Sequence, residues 1–287
     1  MAGPAATLRA HWSQYVAEAS GLAIFMFVAG SVAALLGDLP EPLRSSSALV
    51  HRLIFGLLMG ATAATLVYSP LGRRSGGHLN PAVTLTFYLL GKSEPFDAAW
   101  YAGAQFAGAA LGLMAAALLV GGRLAQPGVH YIVTRGSFGP VVAFVAEFAI
   151  AAVLMTAVLT VSNSSRYARY TGLVAATLVV LFITFEAPLS GMSLNPARSL
   201  ASALSAHDWG DLWIYFTAPP LGMLTAAFVY VRRPGSASVH CGKLNHAPDS
   251  VPCIFRCAYR TQKESPSWQP GSTSSSSAAA PAAERWP

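Results

Sequence analysis

The sequence predicts an all-α membrane protein with six transmembrane helices and two re-entrant half-helices in an inverted repeat. Three observations lead to this fold class: a very apolar composition, six long uncharged stretches and an internal duplication. Charged residues make up 10% of the 287 residues and apolar residues 54%, with a mean hydropathy of +0.48. A water-soluble globule of this composition would lack the polar residues needed to cover its surface. The composition therefore excludes a soluble enzyme for most of the chain.

The positive net charge does not indicate a nucleic-acid partner. The chain carries 18 Lys and Arg against 12 Asp and Glu, a formal charge of +6. Nucleic-acid binding needs basic residues clustered on one face, whereas here they are scattered between long uncharged runs. We therefore expect the basic residues in loops between membrane spans, with the lipid bilayer as the first partner.

Six stretches have the length of a membrane-spanning helix, which needs about 20 predominantly apolar residues. The first lies close to the N-terminus, but it lacks the charged, apolar and small-residue order of a cleavable signal peptide. We therefore expect it to remain as a membrane helix. The predicted spans are 12–36, 48–69, 97–121, 139–162, 169–187 and 210–231.

Two further apolar segments are too short to cross a bilayer, and each opens with Asn-Pro-Ala. Asn is a good helix cap, and Pro is tolerated in the first turn because its missing N–H would have no partner there. We therefore predict half-helices whose N-termini lie within the membrane, where only protein or water can surround irregular backbone. They are segment 79–90, with Asn80-Pro81-Ala82, and segment 194–204, with Asn195-Pro196-Ala197.

The chain also repeats itself, which determines the predicted architecture. Glu18 and Glu147 occupy matching places in the first and fourth spans, and each half contains one Asn-Pro-Ala. Three spans per half is an odd number, so the halves have opposite orientations in the membrane. Inverted repeats of this kind place their site near the bilayer midplane, where the broken helices meet. The predicted membrane domain covers residues 1–232, with repeat halves at about 12–122 and 139–232.

The loop charges predict the orientation of the chain. Basic residues concentrate in the cytoplasmic loops of membrane proteins. The side that holds both termini would carry eight basic residues and the opposite side four. The sequence therefore predicts a multi-pass protein of the cell membrane with both termini in the cytoplasm. The eight are Arg9, Arg73, Arg74, Lys92, Arg166, Arg169, Arg232 and Arg233, and the four are Arg44, Arg52, Arg123 and Arg135.

Two Asn-Pro-Ala half-helices in a six-span inverted repeat, the second followed by Arg198, resemble the major intrinsic protein family of aquaporins and glycerol facilitators. The resemblance covers roughly residues 12–232. It implies a homotetramer with one passive pore per subunit for water and small neutral solutes. It also implies that ions and protons are excluded, that no enzymatic reaction occurs, and that conduction needs no cofactor.

The physics of the motifs agrees with a pore that excludes ions. Each half-helix directs about half an elementary positive charge to the bilayer centre, which repels cations. Capping would hold the Asn80 and Asn195 side chains and leave their NH₂ groups free to donate to a passing oxygen. Arg198 is costly in lipid, so we expect it to face water near the outer mouth, where it repels cations and binds solute.

By resemblance, three more positions complete the narrowest ring with this arginine: Gly60, Ile183 and Met192. Water-specific members usually have an aromatic ring and a histidine where this chain has Gly60 and Ile183. We therefore expect a wider and more apolar constriction that admits water and glycerol-like solutes. The first of these positions depends on an ungapped count, and a shift by one residue would replace it with Met59 or Ala61.

The acids and the histidine of the membrane domain leave alternatives open. The resemblance implies that Glu18 and Glu147 brace the loops before the half-helices by accepting backbone N–H bonds. Intramembrane acids also relay protons, so an ion- or proton-coupled secondary transporter, which uses the same broken helices, is the alternative function. His78 is expected to line the inner vestibule, with pH gating as a further hypothesis. A junctional or scaffolding protein with an incidental pore is a third hypothesis.

The C-terminal part has a different composition from the membrane domain. Segment 233–263 contains a C-x4-H-x6-C-x3-C pattern, and three thiolates with an imidazole can bind structural zinc. A cytoplasmic location keeps thiols reduced, and free cysteines or a redox-sensitive pair are the alternatives. Residues 264–287 are dominated by Ser, Ala and Pro, which predicts disorder. The candidate zinc ligands are Cys241, His246, Cys253 and Cys257.

Overall fold

The computed structural model describes residues 3–37, 47–164, 166–233, 239–245 and 253–257. Within these ranges the regular structure is helical and no β-strand occurs. Six helices are long and apolar enough to cross a membrane, and two short helices begin at the Asn-Pro-Ala motifs. The predicted all-α fold class, with six spans and two half-helices, is confirmed.

The fifth span contains a π-helical segment in addition to α-helix. A π-helical segment, Phe182–Glu186, joins α7 to α8, and the span as a whole covers Ala168–Ser190. The described helices are α1 (Pro4–Gly37), α2 (Ala48–Tyr68), α3 (Pro70–Ser75), α4 (Pro81–Leu89), α5 (Pro95–Val120), α6 (Pro140–Ser162), α7 (Thr171–Leu181), α8 (Ala187–Ser190), α9 (Pro196–Ala206) and α10 (Leu212–Arg232).

The first helix begins at Pro4, before the predicted start of the first span at residue 12. His11 has non-helical backbone angles (φ −123°, ψ 15°), so the first turns form a separate piece joined at a kink. The ring Nδ1 of His11 lies 2.7 Å from Asp97 Oδ1, and the Tyr15 hydroxyl donates to the same oxygen at 2.6 Å. These contacts with the first turn of α5 hold the added piece, which apolar length alone does not predict.

The spans of each half pack closely through glycine. A Cβ atom on Gly108 of α5 would lie 2.2 Å from the Ala19 carbonyl oxygen of α1. In the second half, a Cβ atom on Gly222 of α10 would lie 2.3 Å from the Phe148 carbonyl oxygen of α6. Small residues allow this close approach between membrane helices. The first and third spans of each half are therefore paired in the same way.

The half-helices occupy the centre, and the outer surface of the bundle is apolar. The helix α4 packs against α5 and α10, and α9 packs against the same two helices. Leu118, Val141 and Phe185 expose 88%, 75% and 66% of their surface to the outside of the bundle. Lipid tolerates such side chains, whereas water would favour their association. The two half-helices are therefore held between the third and the sixth span.

Candidate conduction pore

A cavity of about 600 Å³ passes the N-termini of both half-helices. We call the end on the side of Pro4 and Arg232 the inner end and the opposite one the outer end. His78 and Leu244 line the inner end, and Arg52 lines the outer end. Most of the lining side chains between them are apolar. The cavity therefore extends between the two mouths of the bundle.

The two motif asparagines cap their own half-helix and bind the loop of the other half. Each side-chain oxygen accepts from the backbone N–H two residues later, at 2.8 Å for Asn80 and 3.0 Å for Asn195. The Asn80 amide donates to the Leu194 carbonyl at 2.7 Å, and the Asn195 amide donates to the Leu79 carbonyl at 2.8 Å. The expectation of free NH₂ groups therefore needs correction, because this bond uses one of the two hydrogens. The second hydrogen is left for the cavity, which both residues line.

Two buried glutamates hold the loops before the half-helices. Each accepts bonds from two successive backbone N–H groups: Glu18 at 3.1 and 2.6 Å, and Glu147 at 2.5 and 2.8 Å. The second N–H of each pair belongs to Leu79 or Leu194, whose left-handed φ angles are 48° and 57°. Such angles cost about 1–3 kcal/mol each and persist only where neighbours impose them. A proton-coupled transporter would require a titrating acid in the lining of its pathway. Neither glutamate is among the described residues that line the cavity.

The outer half of the cavity contains two arginines. Arg198 lies in the first turn of α9 and lines the cavity. Its Nη1 is buried and has no hydrogen-bond partner within the described part of the chain. Arg52 also lines the cavity, and its Nε donates to the Thr184 carbonyl at 3.0 Å. The outer half therefore carries concentrated positive charge.

The second span presents Met59, and not Gly60, to the cavity. A Cβ atom on Gly60 would lie 2.4 Å from Val180 Cγ2 and 3.0 Å from the Ala176 carbonyl oxygen, so this residue packs against the fifth span. Met59 lines the cavity and is 1% exposed. Of the positions that the ungapped count left open, Met59 lines the cavity and Gly60 is not among the described lining residues. The Gly60 position was obtained by counting residues back from Asn80, and this count passes through α3, which the sequence analysis did not predict. The count therefore does not identify which face of α2 lines the cavity.

The cavity-lining residues of the second span recur three and four positions apart, as on one face of a helix. They are Arg52, Phe55, Met59, Ala63 and Val67, and His51 also lines the cavity beside the first of them. This spacing is present in the sequence, and it would have identified Phe55, Ala63 and Val67, which the sequence analysis did not name as pore residues. It does so only once one residue of the face is known, because every face of α2 is apolar.

Ile183 and Met192 line the cavity, at the positions chosen from the sequence. Ile183 lies in the π-helical segment of the fifth span, and such segments are rare and frequently occur at functional sites. Met192 lies in the loop before the second half-helix and has a left-handed φ of 48°. Together with Met59 they give the cavity three apolar, non-aromatic side chains that share its lining with Arg198.

His78 lines the inner end of the cavity and connects it to the C-terminal part of the chain. Its Nδ1 lies 3.1 Å from Thr84 Oγ1, and its Nε2 lies 2.8 Å from the Gly242 carbonyl oxygen. The ring stacks on Phe87 and also contacts Phe255, with centroid distances of 5.2 and 4.8 Å. Both ring nitrogens therefore have partners, and one of them belongs to the C-terminal part.

Three cysteines of the C-terminal part lie together outside the membrane spans. The Sγ atoms of Cys241, Cys253 and Cys257 lie within 4.8 Å of one another, with 3.5 Å between the first two. Hydrogen bonds with the two neighbouring thiols, together with burial, raise the pKa of the Cys241 thiol above its ordinary value. His246, the fourth predicted ligand, lies outside the described residues, as does the predicted disordered segment 264–287.

The family of this chain follows from a match over most of its length. A family model described as "Major intrinsic protein" matches residues 5–230. The chain belongs to the major intrinsic protein family. As a family member it is a passive channel for water and small uncharged solutes and not an enzyme, and its conduction needs no cofactor.

Curated relatives and a solved structure agree with this membership. "Probable aquaporin NIP7-1" of Arabidopsis thaliana is 32% identical over 217 residues, which cover 75% of this chain and 74% of that protein. "Putative aquaporin NIP4-1" of the same plant is 34% identical over 172 residues, 60% of this chain and 59% of that protein. The aquaglyceroporin from Plasmodium falciparum is 18% identical with a TM-score of 0.64, covering 77% of this chain and 96% of that one. At this identity, the structural likeness concerns the fold alone.

Proposed function

We propose that the constriction of this channel consists of Met59, Ile183, Met192 and Arg198, and that it admits glycerol-sized neutral solutes as well as water. The observation that carries the proposal is the makeup of the cavity lining, in which three of these side chains are apolar and non-aromatic. A solute such as glycerol can place its carbon atoms against them while its hydroxyl groups accept from Arg198.

The proposed exclusion of protons and cations rests on the two half-helices and the asparagines. A water molecule that accepts from the Asn80 and Asn195 amides at the same time has both lone pairs occupied, so it cannot relay a proton along a chain of waters. The half-helix N-termini add positive potential at the same level. Pro81 and Pro196 start the half-helices there. We assign Glu18 and Glu147 the supporting role of holding the loops, because their oxygens are occupied by backbone N–H groups.

Stopped-flow light scattering on proteoliposomes tests the proposed solute class. Water efflux is measured under an impermeant osmolyte, and glycerol and urea entry under gradients of each solute. We expect both water and glycerol to pass much faster than in protein-free liposomes. Fast water flow with glycerol entry at the protein-free level would overturn the proposed wide constriction while leaving the water channel in place.

We further infer a homotetramer in the cell membrane with both termini in the cytoplasm. Support for this orientation comes from the loop charges, eight basic residues against four, and support for the tetramer comes from family resemblance. Residues 1–232 would form the channel domain and residues 233–263 a cytoplasmic segment. Native mass spectrometry tests the assembly. The orientation is tested by fusing to the C-terminus a reporter protein that is active only in the cytoplasm.

We also infer that Cys241, Cys253 and Cys257 bind zinc, with His246 as the fourth ligand. Tetrahedral zinc with Zn–S bonds of about 2.3 Å places its sulfur ligands roughly 3.8 Å apart. The three Sγ atoms already lie within 4.8 Å of one another, so small side-chain rotations suffice. Metal analysis of the purified protein should find one zinc per chain, and a Cys253→Ser variant should lose it.

A further inference from the structure

Two described pieces of the C-terminal part lie against the inner mouth of the pore. We call residues 239–245 and 253–257 the docked segment. Leu244 of this segment lines the cavity itself and is buried. Its backbone N–H donates to the Gly76 carbonyl at 3.0 Å, and the Asn245 amide donates to a carbonyl at the end of α2. The docked segment therefore contributes a side chain to the wall of the pore.

The anchors of the docked segment lie on different sides of the mouth. The His240 N–H donates to the Asn163 side chain at 2.6 Å, at the end of α6. The Arg256 N–H donates to the Lys92 carbonyl at 3.0 Å, in the loop after α4. Between them, the Lys243 ammonium donates to a carbonyl in the last turn of α3 at 2.9 Å, where the helix dipole favours a cation. The segment thus connects loops of both repeat halves.

Phe255 is the apolar anchor of the docked segment. Its ring centroid lies 4.8 Å from that of His78 and 6.0 Å from that of Tyr101. A Cβ atom on Gly76 would lie 2.7 Å from the Phe255 ring, and one on Gly242 would lie 2.8 Å from it. Glycine at both positions therefore makes room for the ring beside the pore histidine.

We propose that the docked segment is a plug of the inner mouth, and that a metal ion on the three thiolates clamps it in place. Cys241 lies in the first piece of the segment, and Cys253 and Cys257 lie in the second. One ion therefore joins the two pieces, which residues 246–252 separate in the sequence, and fixes Leu244 at the wall of the pore. The metal half of this proposal rests on the zinc site proposed above, whereas the plug itself rests on the docking contacts. Removal of the ion loosens the segment and opens the channel.

Full-length variants in proteoliposomes test the plug. Phe255→Asp places a carboxylate among the rings and should expel the segment, and Leu244→Ala removes only the side chain that lines the cavity. We expect Phe255→Asp to raise water permeability about fivefold or more, the lower end of ordinary coupling between sites. We expect a smaller increase for Leu244→Ala. Arg135→Ala is the control, because this exposed arginine pairs with Asp208 and lies outside the docked segment, so it should conduct like the wild type.

Chelation tests the metal clamp on the same preparation. The zinc content and water permeability of the wild type are measured before and after a zinc chelator, and again after zinc is restored. We expect permeability to rise as zinc leaves and to fall as it returns. The Phe255→Asp variant should be open throughout and unaffected by the chelator.

The outcomes separate the parts of the proposal. If folded Phe255→Asp and Leu244→Ala conduct water like the wild type, and all exceed protein-free liposomes, the plug is wrong and the channel function stands. Zinc loss without a rise in permeability overturns the clamp, and protein purified with no zinc overturns the zinc site as well. Permeability at the protein-free level in every variant overturns both the plug and the conduction through this pore.

Discussion

The amides of Asn80 and Asn195 connect local strain to pore geometry. Each amide donates to the carbonyl of the leucine that precedes the other asparagine. Those leucines have left-handed φ angles. In this conformation the backbone N–H of each leucine donates to the glutamate of its own half, and its carbonyl accepts from the asparagine amide of the other half. The left-handed conformation of the two leucines, which costs free energy in isolation, is thus held by four hydrogen bonds, two at each leucine. The two half-helices are therefore fixed to each other through their first residues.

The positions of Met59 and Gly60 give the first prediction. Met59→Trp should reduce glycerol permeability more than water permeability, because the ring fills space that Met59 shares with Ile183 and Arg198 in the cavity lining. Gly60→Ala should leave the glycerol-to-water ratio unchanged but lower the free energy of unfolding by about 1–3 kcal/mol, the usual cost of overpacking. Stopped-flow permeability and thermal unfolding check the pair. A changed ratio in Gly60→Ala with no change in Met59→Trp would restore Gly60 to the constriction.

Glu18 gives the second prediction. A glutamine has one accepting oxygen, and its NH₂ group would oppose the N–H donors of the loop or the Gln105 amide, which donates to Glu18 at 2.7 Å. Glu18→Gln should therefore lower the free energy of unfolding by about 1–3 kcal/mol, the cost of an unsatisfied buried group. The folded fraction should still conduct glycerol independently of any proton gradient. Glu94→Gln, at an exposed residue, is the control, and loss of a proton-dependent flux in Glu18→Gln alone would contradict a passive channel.

At the residue scale, the sequence predicted the motif side chains better than the walls of the pore. Asn80, Asn195 and Arg198 belong to a dense local pattern, so their place follows from a few adjacent residues. The lining residues of α2 depend on helix rotation, which an apolar sequence leaves open because lipid and protein both accept apolar side chains. Contacts such as that between Gly60 and the fifth span decide the rotation, and they are visible only in the folded chain.

At the scale of helices, the spans were predicted well because bilayer thickness imposes their length. The elements that were missed respond to other forces. The helix α3 is short, its N-cap is Ser69 and it ends at Gly76 with a left-handed φ of 97°, so it depends on turn chemistry more than on hydropathy. The π-helical segment Phe182–Glu186 lies in a mostly apolar span. No apolar pattern distinguishes a π turn from an α turn.

The glycine contacts between α1 and α5 give a prediction for the helix pair. Gly108→Val should prevent the two helices from packing, because even a Cβ atom would lie 2.2 Å from the Ala19 carbonyl oxygen. We expect loss of folded protein in size-exclusion chromatography. Gly103→Ala on the same helix is the matched control, since nothing lies within 4 Å of its added Cβ atom, and it should raise helix stability by up to about 1 kcal/mol. Well-folded Gly108→Val would mean that the helices are not in close contact.

At the scale of the whole molecule, the duplication in the sequence predicted the architecture. The composition of the C-terminal part gave no indication that the docked segment contacts the inner mouth of the pore. The change in composition after the last span indicates a separate segment. Its contact with the pore depends on the fit of Phe255 beside His78, two residues far apart in the chain. The thiol pattern was visible, but its position beside the inner mouth was not.

Cation exclusion is a property of the whole outer half of the pore, and it gives the last prediction. At about 8 Å and an effective dielectric constant of about 20, one guanidinium group raises the energy of a passing cation by about 2 kcal/mol. This corresponds to roughly thirtyfold in rate. Arg198→Gln and Arg52→Gln should each raise proton leakage by about this factor, and the double variant by about their product, since the charges act additively.

Proton leakage is measured with a pH-sensitive dye inside potassium-loaded liposomes with valinomycin. Arg135→Gln is the control, because this arginine pairs with Asp208 at the surface and is not among the described cavity-lining residues. It should leave leakage unchanged. A double variant that leaks no more than Arg198→Gln would show that one arginine alone sets the barrier. Leakage at the wild-type level in Arg198→Gln, Arg52→Gln and the double variant would assign the proton barrier to the half-helix N-termini and the two asparagines, which all three variants retain.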